Sequence, residues 1–232
     1  MESNNRVEIY SELASNGFIA GVTLKNSWLS FDDVYSYVRA ELTPSKMKTI
    51  VPKQVHGADI ALIDSQNAVD YHMVDGIITF DHYICLTVTT ADCLPVIFVE
   101  PECGMIAAVH VGWRCYVGGI LENFFRQAAH LGAKIQSMKA ILGPAINDCC
   151  FEVGADVAML FEEQFIRRTK TACYVDLRRA AWNKIESLGV VKSNIGGINE
   201  CTSCEVDKYY SYRRDKDSPI QMVTFIYKSE IK

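Results

Sequence analysis

The chain has 232 residues and a formal net charge of −5, with 22% charged and 49% hydrophobic residues. That balance is ordinary for a folded soluble protein and provides no general field for nucleic acid or an anionic membrane. Residues 1–6 lack the apolar core of a signal peptide, and no window approaches the roughly 18 apolar residues of a membrane span. The nine cysteines, an odd number without a secretion signal, read as reduced thiols, and the expectation is a cytoplasmic protein.

In chain order, residues 1–50 read as an opening α/β segment. Val34, Val38 and Leu42 recur every fourth residue behind Asp32-Asp33, as on one face of a capped helix. His56 sits in Gln54-Val55-His56-Gly57, where the backbone can bend and leave the ring in a cleft. Ile77 to Phe80 follows Asp75-Gly76, and residues 83–90 are rich in β formers. Two apolar runs, 94–99 and 105–111, flank Glu100-Pro101-Glu102-Cys103-Gly104 and read as a hairpin. A turn centred on Pro101-Glu102 sets Cys93 opposite His110, their Cβ atoms about 5 Å apart.

After Gly118-Gly119, Ile120, Phe124, Ala128 and Leu131 share a helical face. A strand over 138–142 ends at Gly143-Pro144. Val157, Leu160, Phe161 and Phe165 mark a further helix, and Leu177, Ala181, Ile185 and Leu188 another. The tail holds Cys201-Thr202-Ser203-Cys204, the run 209–215 and a closing strand over 222–227. No repeat or low-complexity tract marks a linker. The expectation is one α+β domain spanning residues 1–232, its sheets covered by helices.

Three residues stand out chemically: His56, Cys93 and His110. A Cys-His₂ set suits zinc with a fourth position left for water or substrate, and with a weak axial ligand it suits copper. Buried structural residues are the alternative.

With these residues in view, the chain resembles the YfiH or laccase-domain family. The motifs are Gln54-Val55-His56-Gly57, Ala91-Asp92-Cys93-Leu94-Pro95-Val96, Val109-His110-Val111-Gly112-Trp113-Arg114, Gly143-Pro144-Ala145-Ile146 with Phe151-Glu152-Val153-Gly154, and Ser211-Tyr212-Arg213-Arg214-Asp215. They follow family order from residue 54 to 215. The family was first called polyphenol oxidase and later linked to purine nucleosides. The resemblance implies a single αββα sandwich with mixed β-sheets and zinc bound at His56, Cys93 and His110. It also implies phosphorolysis of adenosine, inosine, guanosine and methylthioadenosine, with adenosine deamination as a companion activity. Two departures stand out: Val111 and Cys115 replace the usual alanine and glycine, and Ser218-Pro219-Ile220-Gln221 stands where a Gly-Arg pair is usual.

Phosphorolysis requires phosphate held against the ribose C1′ by fixed cations. Arg114 leads that role because its fork matches phosphate geometry, with Arg213 and Arg214 behind it. Asp75 and Asp92 are candidates to orient a histidine or to act as acid-base groups, or else to cap turns. Trp113 is a candidate purine platform or a packed ring. Cys201-x-x-Cys204 has redox or zinc-knuckle spacing, but no second such pair completes a zinc site, so it reads as structural. The adjacent Cys149-Cys150 reads as unsuited to chelating one ion. His72, His82 and His130 read as surface residues.

Three other functions compete with the zinc phosphorylase and deaminase. One is a metal-free hydrolase or deamidase with Cys93 as nucleophile and His110 as base, since the family's fold resembles that of a bacterial toxin deamidase. Another is a copper-dependent polyphenol oxidase, for which five histidines are few. The last is a module in which zinc only staples the fold. The expected partners are a nucleoside and phosphate, with no nucleic acid and no membrane, in a monomer or homodimer.

Overall fold

The structure is a computed structural model that describes residues 6–14, 17–26, 28, 30–66, 73–216 and 220–229. Its strands are β1 (Val7–Ile9), β2 (Phe18–Thr23), β3 (Lys48–Ile50), β4 (Ile60–Ile63), β5 (Gly76–Thr79), β6 (Ile84–Thr90) and β7 (Leu94–Glu100). They continue with β8 (Met105–Val111), β9 (Lys139–Leu142), β10 (Glu152–Val153), β11 (Ile166–Arg168), β12 (Cys173–Val175), β13 (Ile195–Gly197) and β14 (Met222–Lys228). The helices are α1 (Ser11–Ala14), α2 (Phe31–Tyr37), α3 (Trp113–Val117), α4 (Ile120–His130), α5 (Ala155–Ala158), α6 (Leu177–Ser187) and α7 (Tyr212–Asp215).

Two large mixed sheets carry the fold, one ordered β1-β2-β14-β6-β3 and the other β13-β9-β7-β8-β5-β4. Strands β7, β8 and β14 are buried along their whole length because both of their faces are covered. Ile97 and Val99 of β7 and Ile106 and Ala108 of β8 point into a core shared with Val22, Leu86, Val88 and Ile226 of the facing sheet. Val96, Phe98, Ala107 and Val109 point the other way, onto Ile120, Phe124 and Ala128 of α4 and Ala181 and Ile185 of α6. Phe98 and Phe124 stack with ring centroids 4.1 Å apart. On the far side of the five-stranded sheet, Val34 and Val38 cover Cys85, Val223 and Phe225. The layers therefore run helix, sheet, sheet, helix, as expected.

The helices over 120–130 and 177–187 match their apolar periodicity. Ser30 caps α2 rather than Asp32-Asp33, in a reciprocal capping box with Asp33, and a π turn over Val38–Leu42 extends it. The expected helix over 157–165 is not continuous. α5 stops at Ala158, and a 3₁₀ turn follows at Glu163–Phe165. Phe161 and Phe165 dock with Phe151, Val175 and Leu177 in a separate cluster. Met159 and Leu160 are left 75% and 51% exposed, as a departure from the helical path allows. A small sheet, β10-β12-β11, borders this cluster.

The hairpin exists, but its register differs from expectation. Glu100 pairs with Met105 and Pro95 with His110, so residues 101–104 form the turn and Cys93 lies outside the ladder. The Glu100 carboxylate accepts the N–H groups of Glu102 (3.1 Å) and Cys103 (2.8 Å), and Gly104 takes φ +73°. These contacts move the turn beyond Pro101-Glu102. No helix among the described residues is long and apolar enough to cross a membrane.

Candidate functional site

His56, Cys93 and His110 meet where the chain passes from one large sheet to the other. His56 lies on the crossing from β3 to β4, and Cys93 on the three-residue crossing from β6 to β7. His110 is next to last in β8 and points inward with Ile106 and Ala108. The ligand atoms of the three lie within 4.8 Å of one another. The two imidazoles stand 4.9 Å apart, nearly perpendicular at 86°. His110 is buried, Cys93 half-buried and His56 exposed, so the group opens to solvent on one side.

Both crossings hold backbone that L-residues rarely adopt. Among the described residues, His56 (φ 59°) and Asp92 (φ 92°) are the non-glycine positions in the left-handed range of φ. Each costs about 1–3 kcal/mol and persists only when its surroundings enforce it. Around His56 the enforcement comes from Asp75, whose carboxylate accepts the N–H groups of Val55 (3.1 Å), His56 (3.0 Å) and Gly57 (2.7 Å). Gln54 ties the same loop to β6, donating to the Thr89 carbonyl (2.9 Å) and accepting from the Thr89 N–H (2.7 Å). Around Asp92, the side chain accepts from the Thr202 hydroxyl and the Arg213 N–H, each at 2.6 Å.

Asp75 also meets His110 Nδ1 at 2.7 Å. An ionised carboxylate can only accept, so it keeps a hydrogen on Nδ1 and leaves Nε2 to face Cys93. Burial opposes charge on Asp75, but His110 and the Gly57 and Val55 N–H groups outweigh it and hold the carboxyl below its ordinary range. Burial likewise opposes charge on His110, yet Asp75, Cys115 and Cys93 raise it well above the usual histidine value. For Cys93, burial pushes the thiol up, while hydrogen bonds with His110 and His56 prevail and bring it down to about 7.

Gly112 stands against all three side chains. A Cβ on Gly112 would stand 3.1 Å from Cys93 Sγ, 3.4 Å from His56 Cδ2 and 3.5 Å from His110 Cε1. Glycine there keeps the donor atoms uncrowded, and the donor set of two imidazoles and one thiolate can hold a metal ion.

The other sequence candidates divide. Asp75 joins the site directly, whereas Asp92 holds the Cys93 crossing through the Thr202 hydroxyl and the Arg213 N–H. Arg114 is exposed, lies two residues beyond Gly112 and covers the Trp113 ring at 4.2 Å. Trp113 itself packs against the cluster around Phe161. Arg213 gives two donors to the carbonyls of Cys150 and Glu152. Arg214 uses all five N–H donors, on Asp215 twice and on the carbonyls of Thr202, Ser203 and Tyr209. It is a latch for the C-terminal segment.

Val111 is a core residue facing α4, while Cys115 is buried with Sγ 3.8 Å from His110 Nδ1. His82 and His130 are exposed; His72, Ser218 and Pro219 lie outside the described residues. Sequence reasoning assigned no role to Gln54, Cys115 or Thr202. Only Gln54 and Cys115 carried a signal, by their closeness to His56 and His110 in the chain.

The chain is 32% identical over 181 residues to a protein named adenosine deaminase RL5 from an unknown prokaryotic organism, covering 71% of this chain and 69% of that one. It is 32% identical over 197 residues to purine nucleoside phosphorylase YlmD of Geobacillus stearothermophilus, covering 77% and 71%. The fold matches the crystal structure of that YlmD with a TM-score of 0.84 at 25% identity, over 95% of this chain and 94% of the other. It matches the hypothetical protein YfiH of Bacillus licheniformis with a TM-score of 0.88 at 20% identity, over 99% and 98%. Residues 30–229 match the family described as multi-copper polyphenol oxidoreductase laccase, and the chain belongs to that laccase-like YfiH family.

Proposed function

We propose that this chain is a zinc-dependent purine nucleoside phosphorylase acting on adenosine, inosine, guanosine and methylthioadenosine, and that it also deaminates adenosine. The observation that carries the reading is the convergence of His56, Cys93 and His110 on one solvent-facing point, with His110 oriented by Asp75. Relatives named as a phosphorylase and a deaminase supply the reaction classes.

Two imidazoles and a thiolate suit zinc, and three protein donors leave a position open. They also suit a single copper ion. Five histidines in the chain are too few for the several copper centres of a laccase. A bound ion would supply a Lewis acid at this point.

The remaining work falls to the chain itself. Asp75 holds the Nδ1 hydrogen of His110 and so presents the other nitrogen. Asp92 keeps the Cys93 crossing in its strained form. The Arg114 side chain makes no hydrogen bond or ion pair among the described residues, lies over the Trp113 ring and offers its fork to phosphate. In phosphorolysis a phosphate oxygen bonds to C1′ as the C1′–N9 bond breaks, and the departing purine takes up a proton. In deamination a water oxygen adds at purine C6 and ammonia leaves. Arg213 keeps spare donors at the rim, whereas Arg214 has none to give.

A second reading, a metal-free thiol hydrolase, is favoured by the lowered Cys93 thiol beside His110. Metal analysis and chromatography of inosine and adenosine, with and without phosphate, separate the two. Phosphate-dependent base release abolished by a chelator is expected. Activity that ignores chelators but dies with iodoacetamide selects the hydrolase. Cys93→Ser should lose both metal and turnover, and no reaction on either nucleoside overturns the proposal.

A further inference from the structure

Four further cysteines converge at the same end of the six-stranded sheet, outside the site just described. Cys149 and Cys150 lie on the connection from β9 to β10, and Cys201 and Cys204 on the connection from β13 to α7. Cys204 Sγ is 3.6 Å from that of Cys149 and 3.4 Å from that of Cys150. All four sulfurs lie within 4.8 Å of one another. Disulfide sulfurs are about 2.05 Å apart, and these four thiols are free. Four thiolates around one zinc ion, each about 2.3 Å from it, stand roughly 3.8 Å apart at the corners of a tetrahedron. The two distances to Cys204 match the second spacing.

The backbone explains how an adjacent pair can serve where a second C-x-x-C is missing. The Cys150 and Phe151 N–H groups both bond the Asn147 carbonyl, at 2.9 and 2.8 Å, so the chain turns tightly through the pair. A matching turn at Cys201 receives the N–H groups of Cys204 (3.1 Å) and Glu205 (3.0 Å), bringing Cys201 and Cys204 to one side. Ala145 and Cys201 form a parallel bridge that fastens the two connections together. The Asn147 N–H donates to Cys201 Sγ at 3.4 Å, a contact that favours thiolate.

Cations stand around the cluster. Arg213 bonds the Cys150 carbonyl, Arg167 the Asp148 carbonyl at 2.5 Å, and Arg214 the carbonyls of Thr202 and Ser203. Arg167 is also paired with Asp148 and Arg214 with Asp215, so the Arg213 guanidinium, bonded only to carbonyls, is the one that offsets part of the net negative charge four thiolates leave on one divalent ion.

We propose that Cys149, Cys150, Cys201 and Cys204 form a second metal site, a closed tetrathiolate that takes zinc. On binding, four S–H bonds give way to four S–Zn bonds, and the protons pass to solvent. With all four positions filled by protein the site is structural. It would anchor Thr202, whose hydroxyl holds Asp92 beside Cys93.

The test uses the full chain, purified reduced and loaded with zinc or cobalt. Zinc content of about two per chain is expected, falling to about one in Cys201→Ser/Cys204→Ser and to about one in His56→Ala/Cys93→Ser. Cobalt loading of the unmutated chain should give the intense sulfur-to-metal bands of a tetrathiolate, a readout that stands even if a variant fails to fold. Zinc content unchanged in the cysteine variant, absence of tetrathiolate bands, or a disulfide in the reduced preparation would overturn the proposal. Nucleoside turnover is not among the readouts, so this site and the proposed activity fail separately.

Discussion

At the scale of single residues, Gly112 decides how much space the three donors share. Its φ of −70° is open to any residue, so a substitution there changes the contact and not the backbone. Gly112→Ala should therefore fold with its melting temperature within a few degrees of the parent. Its metal affinity should fall by about 10-fold, of the order seen when groups that position ligands are disturbed. Competition with a coloured chelator measures this; an unchanged affinity would show that the glycine is not needed for space.

Cys93 gives a second residue-level expectation, in the metal-stripped protein. Its thiol is drawn down to about 7 by His110 and His56 against the effect of burial. The thiolate fraction, and with it the alkylation rate, should rise as pH climbs through about 7. An unperturbed thiol does so near about 8.5. Iodoacetamide rates across pH measure the midpoint. His110→Gln should move it upward, and a midpoint that stays put would separate the two groups electrostatically.

At the scale of elements, the three-residue crossing from β6 to β7 is held by groups distant in the chain. Asp92 holds a positive φ there and bonds Thr202 and Arg213, residues more than a hundred positions away. Asp92→Ala loses both bonds and keeps the strain, so it should cost about 2–4 kcal/mol. Asp92→Gly loses the same bonds and relieves the strain, and should cost about 1 kcal/mol less. Urea unfolding of the two variants measures the difference. Equal losses would mean that the backbone at this position carries no strain.

The same scale explains the hairpin register. Apolar runs located β7 and β8 correctly, but the turn between them is set by the Glu100 carboxylate and by Gly104. One side chain reaching forward to two N–H groups was enough to move Cys93 out of the ladder. Cys93 and His110 still meet, by way of the sheet crossing and not as cross-strand partners.

At the scale of the whole molecule, the order of layers follows from strands buried on both faces. The central strands read as continuous apolar runs because a second sheet covers one face and helices the other. The periodicities of α4 and α6 were legible for the same reason: each has one apolar face against a sheet. By contrast, Phe161 and Phe165 kept helical spacing without forming one helix, because both rings dock into a cluster to the side.

By itself the sequence determined the buried runs of β7 and β8 and the apolar faces of α4 and α6, and its motifs determined the family and the choice of His56, Cys93 and His110. Those are properties of neighbours along the chain, fixed by local geometry and apolar spacing. Only the tertiary structure decided that Arg214 is a latch, that Asp75 and not Asp92 orients His110, and that Cys149 and Cys150 stand beside Cys201 and Cys204. Each of those depends on segments tens of residues apart being brought together by sheet pairing, and pairing is settled by burial summed over the entire chain.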